Sequence, residues 1–356
     1  MEFKPDFDEA LARVAAFWAR DCIGRPGLQV TARRQGHEPA PPSGEADLFA
    51  RKTDIQVILQ RAEHEFRNHH HLAEAVPTYV PGLVCSDMAA FLTEENTIAE
   101  DTIWYPRIID DWGANRLAFD PSNRWWQLTT HMAEVASERA QGRYLVGIPD
   151  FQVAIDIVSL LRGPEKLCYD LLENPEAVKS ATRYVLDEAY GYCYREIKEI
   201  IARHSPWAGD WMGLLSAGKH DIIQCDFGAL VSPRHFEEFC LPDIVRQCRM
   251  LDASIFHLDG PDSVRHLDAL LAIDELDAIQ WVPGAGRPPA IAWLPMLRKV
   301  QRAGKSLYIT SPAGDVEGIL QELSPEGLMI HVDEVFETRE EGEQLVKHVE
   351  SWSAGR

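Results

Sequence analysis

The chain has 356 residues, 46% of them apolar, and its 56 acidic against 35 basic side chains leave a formal net charge of −21. The length suits one large domain, read here as 1–356, and the acidic balance argues against binding DNA or RNA through a basic surface. No apolar run reaches the roughly 18 residues of a membrane span, the charged N-terminus lacks the apolar stretch of a secretory signal, and seven scattered cysteines without a CxxC pair fit a reducing cytosol.

The spacing of apolar residues predicts an amphipathic helix over 7–20, within a helical N-terminal extension 1–27, then a first strand over 28–32 and a Pro- and Gly-rich loop over 34–46. A helix is expected over 54–66, and a strand starting at 80 carries Cys85-Ser86-Asp87 near its end. The stretch 94–120 places Trp104, Tyr105, Trp112 and Phe119 among acids. Trp104 and Tyr105, with Trp125 and Trp126, either wall a pocket for a flat ligand or pack an irregular segment. Helices follow over 127–141, 156–172 and 175–204, with a strand over 143–148 that ends in Gly147-Ile148-Pro149-Asp150. In the second half, strands over 221–227, 254–256, 278–282, 306–310 and 328–332 alternate with helices, and a last helix covers 340–352. That alternation favours a parallel barrel over an open sheet.

Ligands of parallel α/β folds gather at the carboxyl ends of strands. His257 and Asp259 stand there, two residues apart and so on one side of an extended chain. An imidazole and a carboxylate so placed bind a divalent metal, act as an acid–base pair, or simply satisfy each other. Asp226 ends the preceding strand, with Cys225 facing the other way, either as a ligand or as a small buried apolar group. His331-Val332-Asp333 repeats the His-x-Asp spacing on the last strand, where Asp333 also suits a helix cap. His64 and the run His69-His70-His71 lie at a helix end; consecutive residues cannot all aim at one ion, so solvent exposure is expected.

The segment Cys225-Asp226-Phe227-Gly228-Ala229-Leu230-Val231-Ser232-Pro233, followed by Phe236-Glu237-Glu238-Phe239 and Leu241-Pro242, resembles the strand-to-helix junction of the uroporphyrinogen decarboxylase superfamily. His257-x-Asp259-Gly260 falls where that superfamily has a His-containing strand end, and Asp87 resembles its early acidic strand end. The resemblance runs from about Leu28 to Val346 and implies a (β/α)8 TIM-type barrel with a deep cleft at the carboxyl ends of its strands. The decarboxylases carry an arginine-bearing Met-Arg-Gln-Ala-Gly-Arg-Tyr-like segment, which Val30-Thr31-Ala32-Arg33-Arg34-Gln35-Gly36 does not match; this places the chain nearer the corrinoid-dependent methyltransferase branch. That branch binds zinc through His-x-Cys and a distant Cys; here His257 matches, Asp259 replaces the Cys, and His331 lies near the distant position.

The resemblance therefore implies a methyltransferase moving a methyl group between a corrinoid (cobalamin), carried on a partner protein, and a small heteroatom substrate. Zn²⁺ would be held by His257, Asp259 and His331, with Cys225 as a fourth ligand, and would lower a thiol's pKa or polarise a leaving oxygen. Catalysis is expected from His257, Asp259 and Asp226, and substrate binding from Asp87, Trp104, Tyr105, Gln280 and Trp281. One alternative is a decarboxylase of a cyclic, porphyrinogen-like substrate, with Asp87 or Asp226 stabilising a protonated intermediate and Arg33 or Arg34 holding carboxylates. The other is a metal-free binding protein that kept the barrel.

Overall fold

The computed structural model describes residues 1–36, 48–83, 85–100, 102–113 and 117–355. The strands among them are β1 (Gly27–Arg33), β2 (His69–Ala73), β3 (Thr78–Tyr79), β4 (Thr97–Ile98), β5 (Ile103–Trp104), β6 (Leu145–Val146), β7 (Ala208–Gly209), β8 (Leu215–Ser216), β9 (His220–Gln224), β10 (Ala253–Asp259), β11 (Ala278–Val282), β12 (Ser306–Ser311) and β13 (Leu328–Phe336). Seven form one sheet in the order β2-β1-β13-β12-β11-β10-β9. All its pairings are parallel except β1 with β2. Its inner strands read as near-continuous apolar runs because both faces are covered, as parallel sheets require.

A second parallel set joins β3 to β6 and extends to β7 through a bridge between Gly147 and Gly209. Both bridge positions need glycine. A Cβ on Gly209 would lie 2.6 Å from Thr78 Cγ2, and one on Gly147 would lie 2.9 Å from Val80 Cγ2. The result is α/β with a mostly parallel central sheet; among the described residues the strand pairing does not run on from β1 to β3 or from β7 to β9.

One end of the sheet is closed from below. The amphipathic helix Phe7–Trp18 turns Ala10, Val14 and Phe17 onto Leu145, Ile222, Ile255, Ala278, Tyr308 and Met329, which lie in the amino-terminal halves of their strands. Trp18 Nε1 donates to Leu215 O at 3.1 Å, and Ser306 Oγ to Phe17 O at 2.6 Å, fixing the plug. The segment before it is tied by Lys4, whose buried ammonium donates to Ala73 O (2.6 Å), Asp6 Oδ2 (2.7 Å) and His71 O (3.1 Å). An open cleft is left to the carboxyl ends of the strands.

Several expectations shift. His69–Ala73 is not an exposed helix end but the half-buried edge strand β2, paired with β1 from Arg33↔His69 to Gln29↔Ala73. Burial accordingly pushes His71 down to about 4. The strand expected from 80 onward is β3, two residues earlier and two residues long, and Asp87 begins a short helix, Asp87–Phe91. The expected helix 156–172 is two, Ile155–Arg162 and Pro164–Glu173, parted at Gly163, whose φ of 94° an L side chain rarely adopts. The long helix after 175 holds a π-helical turn, Val185–Tyr190. The predicted loop 34–46 lies mostly outside the described residues.

Candidate active site

The parallel register brings three side chains level on one face of the sheet: His257 of β10 stands opposite Gln224 of β9 and Gln280 of β11. Gln280 Oε1 faces His257 Nδ1. With that oxygen as acceptor, Nδ1 carries the proton and Nε2 is left as the base. The Trp211 ring meets the imidazole edge-on, 5.4 Å between centroids and 80° between planes. Gln224 Nε2 donates to Asp150 Oδ1 at 2.6 Å.

Asp150 in turn anchors a second acid. Its carbonyl accepts from Asp87 N at 3.0 Å, and Leu83 N donates to Asp87 Oδ1 at 3.0 Å. Asp87, Asp150, Trp211, Gln224 and His257, with the turn 80–83, enclose a cavity of about 560 Å³, in the usual range for small-molecule sites. Burial pushes Asp150 up to about 6; the Gln224 amide and His257 oppose this and Asp226 adds to it. Burial pushes Asp87 up to about 7, with the Leu83 N–H opposing and Asp150 adding. Both carboxyls therefore exchange protons near neutrality, the range a general acid or base needs.

Asp226 sits beside this group on a turn held by Asp156. Asp156 Oδ2 accepts from Asp226 N at 2.9 Å and Oδ1 from Phe227 N at 2.8 Å. Gln152 Nε2 reaches Asp226 Oδ2 at 2.8 Å and Asp156 Oδ2 at 3.3 Å, while Ser86 Oγ donates to Gln152 Oε1. Burial, then the neighbouring Asp226, raise Asp156 to about 7. Asp226 is itself raised, by burial first, with His257 pulling it down and Asp259 pushing it up. Ser86, Gln152 and Ala154 hold φ of 55°, 44° and 51°; such left-handed non-glycine backbone tends to gather at functional sites.

The zinc set does not assemble. Asp259 ends β10 exposed to solvent. Cys225 is buried behind the turn and hydrogen-bonded to Cys240, a contact that, with burial, pushes its thiol well above the ordinary range. His331 Nδ1 contacts Gln29 Oε1 at 3.1 Å in an adjoining cavity of about 350 Å³, which shares Val80 and Trp211 with the first. Among the described residues no three His, Cys, Asp or Glu side chains are placed to hold one ion. The residues present therefore do not fit the expected metal.

The expected substrate-binding residues also divide. Asp87 lines the cavity, and Gln280 acts on it through His257. Trp281, one residue on, takes the other face of β11 and is fully buried against Trp293, so it is a core residue. Trp104 is 67% exposed on the β4–β5 hairpin, and Tyr105 pins a loop through its hydroxyl to Cys85 O at 2.8 Å. Neither Arg33 nor Arg34 lines the cavity: Arg33 pairs with Glu337, and Arg34 donates to His69 O in the groove beside β2. Trp211, Gln152 and Asp156 were not singled out from the sequence. Trp211 had a signal, since Gly209 and Gly213 bracket it as turn residues.

No protein-family model matches the chain. No curated protein matches it either. Among solved structures, a methyltransferase from Methanosarcina mazei shares its fold with a TM-score of 0.61, over 95% of this chain and 97% of that one, at 11% sequence identity. At that identity the likeness is one of fold. No helix among the described residues is long and apolar enough to cross a membrane.

Proposed function

We propose that the chain is a methyltransferase whose acid–base group, His257 with Asp150 and Asp87, moves a proton on a small heteroatom substrate while a methyl group is exchanged with a corrinoid presented at the mouth of the cleft. The observation that carries the reading is the convergence of one imidazole and two near-neutral buried carboxyls in a single cavity at strand ends. The fold shared with a methyltransferase selects among the reactions such a group supports. In the accepting direction, a substrate X–H gives its proton to His257 Nε2 or Asp150. The freed pair on X forms the bond to the methyl carbon, and the bond from methyl to donor breaks with its electrons going to the donor. Gln280 fixes the imidazole tautomer and Gln224 orients Asp150, so both bases meet the substrate preorganised.

The same reading takes the two parallel strand sets as arcs of one (β/α)8 barrel, and the chain as a distant member of the uroporphyrinogen decarboxylase superfamily in the cytoplasm. The Gly147–Gly209 bridge and seven free thiols support it. The decarboxylase alternative is served less well, because among the described residues no Arg or Lys lines the cavity to hold substrate carboxylates. The test is methyl transfer from methylcobalamin to a panel of amines, thiols and phenols, followed by mass spectrometry and the cobalamin spectrum. Product is expected with the native chain and a loss of at least about a hundredfold with His257→Ala, in line with removal of a general base. Carbon dioxide release from a cyclic polyacid, with no methylated product from any acceptor, would favour the decarboxylase instead.

A further inference from the structure

We propose that the cavity between Asp87, Asp150 and Trp211 recognises a small organic cation, an ammonium group, as the substrate of the reaction above. The inference rests on that reading and adds the class of substrate. Its first support is charge. Among the described residues the lining holds two aspartates and neither Arg nor Lys, so a carboxylate or sulfonate entering it meets two like charges, with the imidazole of His257 as the one basic group beside them. The second is the state of Asp87. This side chain is 1% exposed and lines the cavity; Leu83 N donates to its Oδ1, and among the described residues nothing donates to Oδ2. A buried carboxylate normally has a partner for each oxygen.

The recess around that oxygen is built. A Cβ on Gly82 would stand 2.1 Å from Asp87 Oδ2, so only glycine leaves the carboxylate its place. The third support is Trp211, which is 39% exposed, lines both this cavity and the adjoining one, and is held edge-on to His257. An indole and a desolvated carboxylate on one cavity are the two groups that together hold an ammonium, one through its ring face and one through charge. Asp150 supplies the second negative group, oriented by Gln224.

Three probes of one shape and different charge decide the matter: choline, its neutral isostere 3,3-dimethylbutan-1-ol, and the anion 3,3-dimethylbutanoate. Each is titrated into the full chain by calorimetry without any methyl donor, so the result does not depend on turnover. Choline is expected to bind at least about tenfold tighter than the neutral probe, and the anion more weakly still. Asp87→Asn is expected to weaken choline by about tenfold or more and leave the neutral probe unchanged. Trp211→Leu, at a half-exposed position, is expected to weaken choline severalfold. Equal affinity for choline and its neutral isostere, no binding of choline at millimolar concentration, or an Asp87→Asn chain with undiminished choline affinity would overturn the proposal. Methyl transfer to a thiol or phenol in a chain that ignores choline would sink the cation and keep the methyltransferase. Choline binding without methyl transfer to any amine would do the reverse.

Discussion

Asp221→Asn offers a direct measure of what the buried acids do to the fold. Asp221 lies on β9, 6% exposed, with Tyr190 donating to Oδ2 at 2.6 Å and Ile222 N to Oδ1 at 2.8 Å. Burial pushes its carboxyl up to about 7, with the Tyr190 hydroxyl pulling the other way. In the unfolded chain the same group titrates near ~3.9. Between those values the folded chain holds more protons than the unfolded one, so stability is full below about pH 4 and falls as pH rises through about 7. Roughly three pKa units at about 1.36 kcal/mol each give a ceiling of ~4 kcal/mol. Asp87 and Asp156 are pushed to about 7 and Asp210 to about 8, and ceilings for all of them together would exceed the 5–15 kcal/mol that roughly bounds a whole domain. Local relaxation therefore takes much of each, and an effect of about 1–3 kcal/mol for Asp221 is expected. Urea unfolding at about pH 4, near the unfolded value, and at about pH 8 reads it. The native chain should lose that much more than Asp221→Asn over the interval, because the amide keeps the shape and does not titrate. Parallel pH profiles for the two proteins would refute the reasoning.

Asp156→Ala removes the acceptor for the Asp226 and Phe227 amides; it should lower turnover at least about tenfold in the methyl-transfer assay while costing roughly 2–4 kcal/mol in unfolding. Gly209→Ala brings a methyl against Thr78 Cγ2 and is expected to cost about 1–3 kcal/mol, with Thr78→Ala restoring part of it in the double variant. Glu63→Gln weakens a hub that accepts from Arg139 Nε (2.7 Å), Arg143 Nη2 (3.1 Å) and Tyr144 Oη (3.3 Å). Since both arginines are part-exposed, a thermal melt should show about 1–3 kcal/mol rather than the full penalty of a broken buried pair. Dialysis against a chelator should leave choline binding and turnover unchanged; a loss that zinc restores would mean that the ligands lie outside His257, Asp259, His331 and Cys225.

The second half of the chain was legible because its strands are buried on both faces and bounded by Gly and Pro. The expected strand 278–282 coincides with β11, and β10, β12 and β13 lie where the apolar runs put them. The first half was harder, since β3 and β6 are two residues each and are held by glycine contacts with β7 rather than by an apolar pattern. His257 and Asp226 could be read as strand-end residues, but their surroundings could not. Gln152 and Asp156 belong to a loop and a helix start with no periodic signature, and only folding sets them under Asp226. Trp281 was misassigned because adjacency to Gln280 in sequence means opposite faces in a strand. The metal set failed for a related reason. Three strand ends lie on one side of the sheet, yet His331 sits across β11 and β12 from His257, and Cys225 points away from both.

The pairing of β1 with β13 sets a timetable for synthesis. Gln29 aligns with His331 across 302 residues of sequence. At about 5–20 residues per second on the ribosome, β1 waits roughly 15–60 s for that neighbour. Through the interval it has only β2, an antiparallel partner some 40 residues away in sequence. The opposite edge of β1 is a bare apolar ladder of the kind that recruits other chains. Long-range parallel pairing is also slow to form. Lys4, clasping the carbonyls of His71 and Ala73, joins the N-terminal segment to β2 long before β13 exists. That early clasp holds the waiting hairpin in its final place, and its loss should show first as aggregation during expression, before any change in the finished protein.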